Sequence, residues 1–231
     1  MPRDGSGNPG PGSPAPGRRG EPARPRRGAG GEPVFNAPSA PLVLLAILLA
    51  IHIGRQYLPE ASDDWLLVNF GFDPDYWGAE FPTLGSFFGP WGHLFLHANW
   101  PHILANGLGI FLFGMLCARH FGAGAFWAIF LIGGLGGMAA DVIVPLGLKG
   151  LTVGASDGAY ALTAAALVAA RQRGVVNNIA LLSALYIGSQ FLFGAADESS
   201  NINWVAHLGG FAAGLAVGIV LARRLDEDGS A

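Results

Sequence analysis

The chain has 231 residues, 51% of them apolar and 13% charged, with a formal net charge of −3 and a mean hydropathy of +0.41. Soluble domains carry about 25% charged residues, so this composition excludes an ordinary water-soluble globule. A single cysteine, Cys117, excludes an internal disulfide and a thiolate metal cluster.

Residues 1–36 are rich in Pro, Gly and Arg and show no apolar periodicity, so they cannot bury a core and read as a disordered tail. Arg3, Arg18, Arg19, Arg24, Arg26 and Arg27 lie here with no aromatic among them. That pattern favours a cytoplasmic tail that sets orientation over a nucleic-acid-binding arm. The first 30 residues hold no secretory apolar region, so the first apolar segment is expected to serve as an uncleaved signal anchor.

Six apolar segments follow, at about 40–57, 100–118, 123–144, 153–170, 175–193 and 203–222. Each is near the ~20 residues a helix needs to cross a ~30 Å hydrocarbon layer. With the tail inside, the six tail arginines, Arg119, Arg171, Arg173, Arg223 and Arg224 are all inside, against Arg55 and Lys149 outside. This is the positive-inside asymmetry. The predicted fold is an all-α membrane protein, with six crossings over residues 37–225 and a short acidic tail at 226–231. The first outer loop, about 58–92, is long and carries Trp65, Tyr76, Trp77, Phe81, Phe87, Phe88 and Trp91. Aromatics at that density predict a loop lying in the membrane interface.

Polar residues gather where three segments begin. Pro101 suits a first helical turn, so the second crossing is predicted to start near Trp100. His102 and Asn106 then share a face one turn in, with His93 and His97 in a short helical piece before them. The fourth crossing opens Gly154-Ala155-Ser156-Asp157-Gly158-Ala159-Tyr160. Taken alone, this stretch admits two readings: a functional hydroxyl and acid, or Ser156 capping the helix with Asp157 complementing its dipole. In the sixth crossing, His207 shares a face with Gly210, Gly214 and Gly218. A matching small face in the fourth, Gly154, Gly158, Ala161 and Ala165, would let the two helices approach closely. A hydroxyl and an imidazole at similar depth on such a pair make an activated nucleophile.

With the pattern His97-x4-His102-x3-Asn106, then Gly154-Ala155-Ser156, then Ala206-His207-Leu208-Gly209-Gly210, the chain resembles the rhomboid intramembrane serine proteases over about residues 40–222. The resemblance implies a six-helix bundle in a bacterial inner membrane with both termini cytoplasmic. It also implies a Ser156–His207 dyad near the outer face, and no cofactor or metal. His102, Asn106 and the Ser156 N–H would form the oxyanion hole, and Tyr160 would pack on His207. Substrates would be transmembrane segments of other proteins, entering past the fifth crossing. Two positions depart from the pattern. Asp157 stands where glycine is usual, and Ala118 stands where glutamate is usual in the first inner loop. Asp157 is expected to face a water-filled cavity or a polar partner; filling the oxyanion pocket would leave a non-catalytic, helix-binding rhomboid-like protein instead.

Four positions carry blander readings. Asp141 is expected to be a cavity-facing or interfacial acid rather than a distant third catalytic member, and Gln190 a packing hydrogen bond rather than a gate latch. His93 and His97 are expected to order the loop against the second crossing; with His102 they invite a zinc site, which the need for three or four ligands in anchored geometry and the lack of an HExxH motif disfavour. Cys117 is a small packing residue. A channel or transporter is disfavoured because neither internal repeats nor helices broken at mid-membrane occur.

Overall fold

The computed structural model describes residues 37–77, 84–144, 150–196 and 202–229. The whole tail, Glu80, Phe81 and Lys149 lie outside the described residues. The fold is all-α. The elements are α1 (Ser39–Arg55), α2 (Glu60–Phe70), α3 (Pro74–Trp77), α4 (Leu84–Gly92), α5 (Trp100–Phe121), α6 (Ala123–Ile143), α7 (Ser156–Gln172), α8 (Val176–Ala196) and α9 (Trp204–Gly229). By length and composition α5, α6 and α9 can each cross a membrane, and α1 is a shorter apolar helix.

The core is organised around α7, which is buried along most of its length. Its Ala and Gly content makes it narrow, and the neighbours use that. Gly214 of α9 lies against the backbone of Ala161, Gly218 against Ala165, and Gly210 against the backbone of Asp157. The steps rise together, so α7 and α9 run parallel. On the other side Gly133 of α6 meets Ala161 and Gly137 meets Asp157, so α6 runs antiparallel to α7. Without a solvent-driven hydrophobic force between helices in lipid, this backbone-level contact is what holds them.

Two elements of the expected α7–α9 face are placed differently. Gly158 faces the Phe130 ring of α6, and Gly154 faces His102 and Asn106 of α5. Gly209, 100° from Gly210 around α9, packs on Gly136 and Ala140 of α6. Helix α9 is therefore wedged between two narrow neighbours.

Further differences concern the ends. The fourth element is helical only from Ser156, because the backbone of 152–155 is drawn into contacts with the first loop. Helix α9 continues through Asp226, Glu227 and Asp228 to Gly229, so the acidic end is its last turn rather than a separate tail. Helix α5 widens into one π-type turn at Ile110–Gly114, just beyond Gly109, where the Tyr186 ring of α8 leaves no room for a side chain.

The first loop is itself helical. Trp65, Val68, Leu84, Phe87, Phe88 and Trp91 are exposed on it, and none of α2 is buried. It is tied to α1 by Arg55, whose guanidinium donates to both Asp63 carboxylate oxygens, at 2.6 and 2.9 Å, and to the His97 carbonyl at 2.7 Å.

Candidate functional site

Helices α5, α7 and α9 all begin at one end of the bundle, and each start is locked by its own sequence. For α5 the device is a cap. Asn99, in extended conformation, accepts the His102 N–H at 2.9 Å, and Pro101 occupies the first turn. His102 and Asn106 consequently project from one face, as predicted.

The approach to α7 is stitched to the first loop. Phe72 and Thr152 exchange backbone bonds of 3.0 and 2.7 Å, and the Gly154 N–H donates to the His93 carbonyl at 2.8 Å. The Ala155 N–H donates to His97 Nε2 at 3.4 Å. That bond requires a lone pair on Nε2, so His97 is neutral with its hydrogen on Nδ1. Burial, with His102, His52 and Arg55 around it, pushes His97 down to about 3. His93 and His97 thus order the strand leading to Ser156 more directly than they order α5.

Gly154 has φ +131°, a conformation that L side chains rarely adopt. It also has no room: an added Cβ would sit 2.5 Å from His102 Nε2 and 3.3 Å from Asn106 Nδ2. His102 and Asn106 therefore lie directly against the turn that carries Ser156. Asn106 Nδ2 is buried without a hydrogen-bond partner. An unmet buried donor costs about 1–3 kcal/mol, so this amide is able to take up an acceptor.

Ser156 is the first residue of α7 and half-buried. It is not the cap: Ala155 takes that position and no side chain caps the helix. Nor does the hydroxyl bond back to its own turn, as Thr163 does to Ala159 O at 2.8 Å. The Ser156 N–H, at the first helical position, has no intrahelical partner.

His207 enters from α9. Asn203 caps that helix, accepting the Ala206 N–H at 3.1 Å, while its own amide donates to Asp141 Oδ2 at 2.8 Å. Asp141 is thus buried rather than cavity-facing, and it steadies the start of α9. The imidazole stacks on Tyr160 with centroids 4.4 Å apart and planes 19° apart, and Trp204 meets its edge. Tyr160 is one turn beyond Ser156 on the same face of α7. Ser156 and His207 share no hydrogen bond among the described residues, and His207 Nδ1 is buried without a partner. A cavity of about 360 Å³ opens beside the Tyr160–His207 stack, lined also by Ile187, Trp204, Leu208 and Phe211.

Asp157, 2% exposed, is not among the residues that line that cavity. Its carboxylate lies 3.5 Å from His93 Nε2, over Gly137. Of the two expected surroundings it has the polar partner and not the water-filled cavity. Cys117 packs as expected, its thiol on Leu162 O at 3.3 Å. Among the described residues no group of three His, Cys, Asp or Glu side chains is arranged to hold a metal.

His52 is the member the sequence reading missed. It is buried in α1, edge-on to Trp100 at 4.7 Å and to His97 at 6.5 Å. Its signal was the buried spacing Leu44, Leu48, His52, a four-residue stripe ending on a histidine instead of an aliphatic.

The model of the Rhomboid domain family matches residues 85–224. Among characterised proteins, a "RHOMBOID-like protein 5" of Arabidopsis thaliana is 27% identical over 139 residues, which cover 57% of this chain and 43% of that protein. The chain thus matches less than half the length of this relative.

Proposed function

Because the chain belongs to the rhomboid family, we propose that it is an intramembrane serine protease whose nucleophile is Ser156 and whose general base is His207. The observation that carries this reading is the convergence at Gly154: a free hydroxyl at a helix start, an imidazole stacked one turn away, and an unpaired buried amide on Asn106.

In the proposed reaction Ser156 Oγ attacks a peptide carbonyl carbon and His207 accepts the hydroxyl proton. The oxyanion is met by Asn106 Nδ2, His102 and the Ser156 N–H. Collapse breaks the C–N bond, and His207 returns the proton to the departing amine. Water then hydrolyses the acyl-serine with His207 again as base. Tyr160 holds the imidazole plane, Gly154 leaves space for the two oxyanion donors, and Gly210 lets α9 close on α7. The substrate is a transmembrane segment unwound near the site, entering from the bilayer beside α8 and the Trp204–Phe211 face. Both termini are proposed to be cytoplasmic, in a bacterial plasma membrane, with the dyad near the opposite face.

The test is labelling by a fluorophosphonate probe together with cleavage of a single-pass model substrate in vesicles. Wild type should label and cleave, and Ser156→Ala and His207→Ala should do neither. Asn106→Ala should retain labelling but lose about 10²–10³ in turnover. A folded wild type that neither labels nor cleaves would establish the second reading, a non-catalytic rhomboid-like protein that binds membrane helices. That alternative draws on the lack of a Ser156–His207 hydrogen bond among the described residues.

A further inference from the structure

The residue that departs from the rhomboid pattern sits in a made-to-measure niche. Asp157 follows Ser156 directly, and its carboxylate is lodged between α6 and the turn that ends the first loop. Gly137 of α6 provides the space, since any Cβ there would run into that carboxylate. His93, from the 3₁₀ turn His93–Phe95 that ends the first loop, provides the partner. Both side chains of the pair are almost wholly buried, at 1% and 3% exposure.

The hydrogen inventory makes this a specific contact. His93 Nδ1 lies 2.8 Å from the Gly89 carbonyl, which can only accept, so Nδ1 carries a hydrogen. Nε2 then faces a carboxylate oxygen at 3.5 Å with no other partner. The pair is joined to the site twice. His93 O accepts the Gly154 N–H, and Asp157 is covalently adjacent to Ser156. A closed ring results: loop turn, Gly154, Ala155, Ser156, Asp157, and back to the loop turn.

We propose that Asp157 is a positioning residue, whose contact with His93 over Gly137 pins the first turn of α7 to the first loop and so fixes where the Ser156 hydroxyl stands. It acts through the backbone rather than as a third catalytic member: the carboxylate makes no hydrogen bond to His207, whose Nδ1 has no partner among the described residues. Asp141, one turn from Gly137 on the same face of α6, is engaged by Asn203 and serves the start of α9 instead. The inference rests on the protease reading of the same site.

The experiment uses the full chain in lipid nanodiscs and follows fluorophosphonate labelling of wild type, Asp157→Asn, His93→Gln and the double variant. Each is assayed well below its own thermal midpoint. Asp157→Asn, of equal size, should lower the limiting labelling rate about tenfold, a displaced nucleophile, while the half-saturating probe concentration stays unchanged. His93→Gln should do the same, and the double variant should be no slower than the slower single one. Asp157→Gly, which supplies the family's usual residue, should not restore the rate, because His93 is then left without its partner. Wild-type labelling kinetics in Asp157→Asn, or losses that multiply in the double variant, would overturn the positioning role. If Asp157→Asn does not fold, normal labelling by folded His93→Gln overturns it alone. A folded wild type that never labels removes the protease reading itself, and that result is distinct from a labelled wild type with indifferent variants.

Discussion

Histidine does different work at each position in this chain, and the hydrogen-bond partner of each ring tells which. His97 accepts a backbone N–H and is neutral; His93 donates to a carbonyl and faces an acid; His207 offers a stacked ring with one buried, unpaired nitrogen. For His97 the consequence is an acid limit on stability. Its folded value is depressed to about 3 from 6.5, so between those values the unfolded chain holds a proton that the folded one lacks. Stability is therefore complete above 6.5 and declines as pH falls, by about 1.4 kcal/mol per pH unit for this one group. Thermal midpoints of detergent-solubilised protein should drop from pH 7 to pH 5. His97→Gln should flatten that drop, even if it lowers the midpoint at pH 7. A slope unchanged by the substitution would assign the acid sensitivity elsewhere. Of the residues named in advance, His102, Asn106, Tyr160 and His207 were legible because their helical spacing or family pattern fixes a face. His52 was not, because a histidine inside an apolar stripe carries no pattern until its neighbour Trp100 is known.

Among the helices, the small residues of α9 set the closest approaches, and they are not equivalent. A methyl group at Gly214 would collide with the backbone O, C and Cα of Ala161. At Gly218 the nearest atom is Ala165 Cα, at 3.0 Å. Gly214→Ala should therefore push α9 off α7 and cost about 1–3 kcal/mol as overpacking, while Gly218→Ala should cost distinctly less. Thermal unfolding in one detergent ranks them, and equal losses would mean that the helices separate as rigid rods. A period-four run of glycines made the α7–α9 contact legible from sequence. The run is silent about Gly209, which meets α6, because a helix with glycine on two faces does not declare which neighbour takes which. The first loop was harder still. Its aromatic content pointed to an interfacial position, but its grip on α1 depends on a long-range contact, Arg55 to the His97 carbonyl across 42 residues. Arg55→Met should cost about 1–3 kcal/mol for that orphaned carbonyl, with little added by the partly exposed Asp63 pair. Burial of the carboxylate's partner also matters to acid response: Arg55 holds Asp63 below its ordinary value, so this contribution is present above about pH 4 and fades as the carboxylate protonates.

Across the whole molecule the site lies at one end of the bundle, and its geometry implies which side of the membrane that end faces. Helices α5, α7 and α9 all start there, so the Arg119, Arg171, Arg173, Arg223 and Arg224 side chains fall at or beyond the opposite end of the same helices. Cationic residues concentrate on the cytoplasmic side of membrane proteins, so we propose that the dyad lies at the non-cytoplasmic face. An even number of crossings would also bring the arginine-rich tail to the side of Gly229. The single cysteine makes this testable with little disturbance. Cys117 is buried, and its replacement by alanine removes only a thiol that rests on Leu162 O. On that background one cysteine at a time is introduced, as Gly28→Cys, Asp64→Cys or Gly229→Cys, and intact cells are treated with a membrane-impermeant maleimide. Only Asp64→Cys, in exposed α2, should label before lysis, and the other two only after it. Labelling of Gly229→Cys from outside would reverse the bundle and place the site in the cytoplasm; labelling of Gly28→Cys together with Asp64→Cys, and not Gly229→Cys, would leave the bundle in place but require an odd number of crossings, against a six-helix arrangement.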